Sequence, residues 1–203
     1  MTSRPQRGCR PHQLLRVGSG EIGMNMNLFG YGLPGDHKWI MVDIGVTFAD
    51  DTLPGIDLIY PDPGFIVEKK DNLLGIVLTH AHEDHIGAIA HLWPKLQCKI
   101  YATPFTAVLI KEKFKEKHID ITKDLQIVEL NGNISLEKFE IEYITLTHSI
   151  LEPNGLRIKT PAGVILPFEV MPALKFGALF VIVLIVLKFA DDYFGEAGVY
   201  IAA

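Results

Sequence analysis

Between residues 18 and 166, short apolar runs alternate with turn residues, the rhythm of a chain that builds sheets with few helices. Strands are predicted at 39–43 (WIMVD), 73–78 (LLGIVL), 99–101, 125–130 and 134–147. A hairpin is expected next, with strands at 156–159 and 164–166 around the turn Thr160-Pro161-Ala162-Gly163. Helical spacing is confined to 84–92 and 104–117. The second helix has a strong start signal, since Thr103 is a capping residue and the fixed φ of Pro104 suits the first helical position. The run KEKFKEKH that closes it reads as a solvated face in preference to a nucleic-acid patch.

The two ends depart from this rhythm. Residues 1–17 carry Arg4, Arg7, Arg10 and Arg16 with no continuous apolar stretch, so they read as a loose basic arm and not as a secretory signal. In 167–203 the run 176–187 is apolar throughout, and 170–190 is interrupted only by Pro172, Lys175 and Lys188. Two readings stay open for it. A helix over 170–190 rises about 30 Å, enough to cross a bilayer with its lysines snorkelling, and a buried core helix has the same pattern. The expected organisation is an arm (1–17), a domain (18–166) and a hydrophobic, possible membrane-contacting tail (167–203).

Composition narrows the class. The chain has 203 residues, 48% of them hydrophobic and 21% charged, which excludes a disordered protein and allows one domain with an appendage. Its mean hydropathy of +0.23 owes much to the tail. A net charge of −5 argues against holding nucleic acid by bulk charge, though not against a local patch. Cys9 and Cys98 stand far apart without CxxC spacing, so neither a disulfide framework nor a thiolate metal site is readable, and a reducing, cytoplasmic setting is the default.

The candidate chemistry lies at Thr79-His80-Ala81-His82-Glu83-Asp84-His85, directly after the apolar strand 73–78. Residues two apart in extended chain point the same way, so His80 and His82 can present two imidazoles to one metal ion. Asp84 and His85 fall where the chain turns into a helix, which can aim them at a second ion. Nitrogen and oxygen ligands without cysteine suit zinc, with manganese as a substitute. The plainer reading is a histidine-rich surface loop; ligand types at 80, 82, 84 and 85 behind a strand end weigh against it. His12, His37, His91 and His118 fit no ligand pattern. The GxxxxGK[ST] spacing of a nucleotide-triphosphate site is absent from the sequence.

The string HAHEDH resembles the HxHxDH signature of the metallo-β-lactamase fold. GEIGMN at 20–25, VDIG at 42–45, GIDLIYPD at 55–62, THSI at 147–150 and IKTPAG at 158–163 are similar to the ribonuclease J family of bacteria. The resemblance implies the N-terminal half of a four-layer αββα fold, an α/β metallo-hydrolase that cleaves RNA phosphodiester bonds in 5′-to-3′ exonucleolytic and endonucleolytic modes. It also implies two zinc ions, an RNA partner, a tendency to form homo-oligomers, and a β-CASP domain. By the same resemblance, His80, His82 and His148 hold one metal, Asp84 and His85 begin the second site, and Asp84 is catalytic, orienting the attacking water. Asp43 would steady the ligand loop through hydrogen bonds without touching metal.

The chain departs from the family in three places. The strand before GEIG reads PHQLLRVG where an apolar strand ending in Gly-Gly is expected. After 163–166 it continues Pro167-Phe168-Glu169-Val170 where the family has a His-Thr-Gly-Asp-like string, and Glu169 does not match the spacing of that aspartate. The family's later regions would lie beyond residue 203. The tail faintly resembles an MgtC/SapB-type membrane protein family. The expectation is therefore a truncated copy, and the alternative is a non-enzymatic fragment, membrane-attached or a pseudogene product, that binds at most one zinc and leaves an apolar sheet face uncovered.

Overall fold

The computed structural model describes residues 12–18, 23–49, 53–167 and 199–202. The expected apolar helix over 170–190 and Glu169 lie outside them, as does most of the basic arm. Among the described residues no helix is long and apolar enough to cross a membrane.

The elements follow in the order β1 (Gln13–Gly18), β2 (Asn27–Leu33), β3 (Asp36–Val42), β4 (Thr47–Phe48), β5 (Leu58–Ile59), α1 (Gly64–Val67), β6 (Leu73–Val77), α2 (Glu83–Ile86), α3 (Ile89–Leu96), β7 (Ile100–Ala102) and α4 (Pro104–Glu116). After them come β8 (Leu125–Ile127), β9 (Asn133–Leu136), β10 (Phe139–Thr145), β11 (Asn154–Thr160), β12 (Gly163–Pro167) and β13 (Val199–Ala202). The first large sheet has the order β1-β2-β3-β6-β7-β8 and the second β13-β12-β11-β10-β9. In the first, β1 to β3 run antiparallel and β3, β6, β7 and β8 run parallel. In the second, only the β12–β13 pair is parallel.

Alternation along the strands builds two cores. Trp39 and Met41 of β3 and Ile76 of β6 point to the helices, where they meet Ile89, Ile110 and Phe114. Their neighbours Ile40, Val42 and Val77 point the other way, into a layer shared with Phe139, Ile141, Tyr143, Leu156 and Ile158 of the second sheet. A strand buried on both faces reads as an unbroken apolar run, as WIMV does. The resulting layers are helices, sheet and sheet. The far face of the second sheet carries charged pairs across β10 and β11 beside the exposed Ile144. Glu142 stands opposite Arg157 and Glu140 opposite Lys159, and both pairs form exposed ion pairs.

Several elements differ from expectation for identifiable reasons. Strand β2 was not foreseen, because Gly30 and Gly32 break its apolar pattern. Gly30 is there to make room, since a Cβ would fall 2.6 Å from Cζ3 of the Trp39 ring. β1 begins inside the stretch read as a loose arm, and its ladder to β2 runs from Gln13↔Gly32 to Gly18↔Asn27. The strand expected over 134–147 is a hairpin, β9 and β10, with Leu136 opposite Phe139 and Glu137 left-handed at φ 52°. The helix expected over 84–92 is two helices. Ala88 N–H turns to the Ile44 carbonyl (3.0 Å), and Asn25 N–H takes the Asp84 carbonyl (3.0 Å), so the helical ladder is interrupted between them.

Helix α4 matches its expected span to within a residue, with Ala107, Ile110 and Phe114 buried on one side and most of its lysines exposed. Thr103 occupies the capping position but bonds Thr106 Oγ1 (3.4 Å), making no capping bond to the backbone. Cys98 is buried beneath this layer, and burial pushes its thiol up to about 12.

Gly30→Ala drives a methyl group into the Trp39 indole and is expected to cost about 1–3 kcal/mol, the usual penalty of overpacking. A urea unfolding midpoint unchanged from that of the parent chain would contradict this packing.

Candidate metal centre

The site is assembled where strand ends of both sheets meet. β6 stops at Val77, Leu78 N–H still bonds the Tyr101 carbonyl (2.9 Å), and the chain then runs extended through Thr79 to His82. His82 is the residue before α2, with φ −69° and ψ 152°, so the turn into the helix follows the second histidine directly. His148 arrives from the other sheet, on the loop that leaves β10 after Thr145. His82 Nδ1 lies 3.1 Å from His80 Nε2 and 3.1 Å from His148 Nε2. One ring nitrogen from each of the three falls within 4.8 Å of the others.

The donor chemistry of this trio fits a metal ion. Zinc–nitrogen bonds of about 2.0–2.1 Å at tetrahedral angles put ligand nitrogens about 3.3–3.4 Å apart, close to the 3.1 Å that His82 Nδ1 keeps from each of the other two nitrogens. Burial, followed by the field of His85, lowers His80 to about 4. Burial and then His148 lower His82 as well. Both rings therefore stay neutral near pH 7, the protonation state a metal requires.

Asp43 sets the tautomers. Fully buried, with a left-handed φ of 61°, it accepts from Thr79 N–H at Oδ1 (2.8 Å) and from the Thr79 hydroxyl at Oδ2 (2.8 Å). The only hydroxyl proton of Thr79 is thereby committed, so Thr79 Oγ1 can only accept from His80 Nδ1, 3.0 Å away. That puts the His80 proton on Nδ1 and leaves Nε2 as a lone pair facing the trio. His85 follows the same logic. Its Nδ1 donates to Asp43 Oδ2 (2.9 Å), and its Nε2 faces Asn25 Nδ2 (3.3 Å) and Asp84 Oδ2 (3.5 Å). Burial works to raise the pKa of Asp84, but its hydrogen bond to His85 and the field of that ring outweigh it and hold the carboxyl below its ordinary range.

Three of the five expected ligands thus converge, and Asp84 and His85 form an adjacent pair outside the trio. The remaining four histidines lie elsewhere: His12 stacks on Tyr31, His91 on Tyr60, His37 packs beside Trp39, and His118 follows α4 with a left-handed φ of 57°.

Several contributors went unrecognised in the sequence. Asn25 carries the amide facing Asp84 and His85, and its only signal was membership of the GEIGMN string. Gly45 lies against the motif helix so closely that a Cβ would fall 1.6 Å from the Asp84 carbonyl oxygen. Around it, Ile44 N–H bonds the His85 carbonyl (2.7 Å) and Val46 N–H the Glu83 carbonyl (3.0 Å), so the chain after β3 straps α2 in place. From the outside, Lys113 of α4 grips both oxygens of Glu83 (2.7 and 2.8 Å).

Asp43→Asn suits the left-handed backbone but puts a donor where Thr79 and His85 need an acceptor. It is expected to weaken zinc binding about 10–100-fold, the usual cost of losing a residue that orients ligands. Isothermal titration of both chains with zinc measures it, and equal affinities would show that Asp43 does not orient the ligand loop.

The comparisons with known proteins agree with this geometry. The Metallo-beta-lactamase superfamily matches residues 28–152. A domain of unknown function, DUF4010, matches 149–203 and so covers the tail. Ribonuclease J of Sinorhizobium meliloti is 46% identical over 150 residues, 73% of this chain and 26% of that protein. Ribonuclease J of Helicobacter pylori is 40% identical over 150 residues, 73% of this chain and 21% of that protein. The chain therefore spans about a quarter of the length of these curated relatives. Among solved structures, a protein of unknown function from Enterococcus faecalis V583 matches with a TM-score of 0.50 at 17% identity, covering 77% of this chain and 43% of that one. With an HxHxDH loop at the end of β6, a histidine brought to it from a second sheet, and the family match running through both, the chain belongs to the metallo-beta-lactamase superfamily and has ribonuclease J proteins among its homologues.

Proposed function

We propose that the chain carries the metal site of a zinc-dependent hydrolase that cleaves RNA phosphodiester bonds. The carrying observation is the convergence of His148 on His80 and His82 across two sheets. The name of the ribonuclease J relatives supports RNA as the substrate class, and a cytoplasmic setting and homo-oligomers belong to the same proposal. In this reading His80, His82 and His148 hold one ion, Asp84 and His85 provide ligands toward a second, and zinc is preferred to manganese by the number of imidazoles.

When bound, such ions supply Lewis acidity and a water that ionises near neutral pH. The protein residues do the rest. Asp84, kept ionised beside His85, orients the attacking water and accepts its proton. Asp43 accepts from His85 Nδ1 and so fixes the ring with Nε2 turned toward Asp84 and Asn25. Asn25 offers a neutral amide on the same side, at hydrogen-bond reach of His85 Nε2. The Lys113–Glu83 pair and the strap from Ile44 to Val46 keep α2 from rotating these groups away.

A second reading is a non-enzymatic chain that binds one zinc ion. It is favoured by the fact that only three histidines, and no carboxylate, cluster within ligand distance among the described residues.

Incubation of the zinc-loaded chain with 5′-monophosphorylated RNA, alongside metal analysis, separates the two. The hydrolase reading predicts two ions per chain and shortening of the RNA that His82→Ala abolishes. One ion per chain with intact RNA would favour the binding-only reading.

A further inference from the structure

The loop between β10 and β11 carries His148 and is held at more points than a strand connection needs. Its base is closed by the Thr145↔Asn154 pair and by Leu146 N–H on the Pro153 carbonyl (2.9 Å). Ile150 packs against the helix-side core. Two side chains then fasten the loop to the first sheet. Asn154, buried at 4% exposure, donates from Nδ2 to the Thr79 carbonyl (3.1 Å) and to the Glu152 carbonyl (2.7 Å). Glu152 reaches past it to accept the N–H of Phe105, in the first turn of α4, at Oε2 (2.8 Å).

Both groups accept conformational penalties to make these contacts. Glu152 sits at φ 51°, a left-handed backbone uncommon for its residue type. The buried Oδ1 of Asn154 has no partner among the described residues. Turning the amide over would set that oxygen against two carbonyl oxygens, so the two donor bonds fix its orientation. Thr79 is the residue before His80, and its carbonyl is what Asn154 holds. The contact therefore joins the backbone that carries His80 to the loop that carries His148, while Glu152 satisfies an N–H that the start of α4 leaves open.

We propose that Glu152 and Asn154 are positioning residues for His148: together they latch the second sheet's loop onto the ligand loop and onto α4, and set the spacing of the three imidazoles. This rests on the reading of the trio as a metal site. Neither residue touches the ion in this account, and each acts through the place it gives His148.

The test is the zinc dissociation constant of the full chain, by competition with a chelating dye, with the visible spectrum of the cobalt-loaded chain as a second readout. Glu152→Ala and Asn154→Ala are expected to weaken zinc binding roughly 10–100-fold and to reduce the intensity of the cobalt bands. Glu152→Gln keeps an acceptor for Phe105 N–H and is expected to restore both, with the metal-free unfolding midpoint of Glu152→Ala close to that of the parent. Unchanged zinc affinity in both alanine variants, while His148→Ala lowers it, overturns the latch and leaves the metal site standing. A Glu152→Gln variant no better than Glu152→Ala also overturns it. No effect of His148→Ala would remove the metal reading and the latch together.

Discussion

The structure depends on one buried carboxylate. Asp43 is fully enclosed at the end of β3, and an oxygen acceptor in such a place is tolerated only when its bonds are satisfied. It is satisfied by Thr79 and His85, the residues on either side of the histidine pair. The cost of burying Asp43 and the order of the ligand loop are therefore the same fact. If the loop loosens, the carboxylate is left unpaired in the core, and if the carboxylate is replaced, the proton positions of two histidines are no longer set. The strap that follows Asp43, with Gly45 pressed against Asp84, extends this control from the extended loop to the helix after it.

The second requirement is that the two sheets stay in register. Val42 and Val77 of the first sheet pack with Ile141, Tyr143 and Leu156 of the second, immediately behind the strand ends that carry the histidines. Tyr143, itself buried, donates its hydroxyl to the Tyr101 carbonyl (3.2 Å), a polar tie inside an otherwise apolar layer. A site built from both sheets inherits the rigidity of this packing, since close-packed interiors transmit displacement and do not absorb it. A histidine trio drawn from one loop alone would lack that support.

Much of this was legible in the sequence. The HAHEDH string after an apolar run places two imidazoles on one side of an extended loop, helix α4 is announced by Thr103-Pro104, and the β11–β12 hairpin by Thr160-Pro161-Ala162-Gly163. What escaped depends on partners distant in the chain. β2 is masked by glycines whose reason is the Trp39 ring, and the break between α2 and α3 exists because Ala88 turns to Ile44. The apolar alternation shifts by one across Glu137-Lys138, from Ile134 and Leu136 to Phe139, Ile141 and Tyr143, but neither residue is a usual turn former, so the long stretch reads as one strand. Thr79, Asn25 and Asn154 are ordinary polar residues with no motif of their own, and their roles appear only once the two sheets bring them to the histidines.

The central claim is that imidazoles from two sheets hold one ion. X-ray absorption at the zinc edge of the loaded chain tests it most directly. The account predicts a first shell containing three imidazole nitrogens at about 2.0–2.1 Å, falling to two in His148→Ala. A shell without imidazole scattering, or one that His148→Ala leaves unchanged, would contradict it.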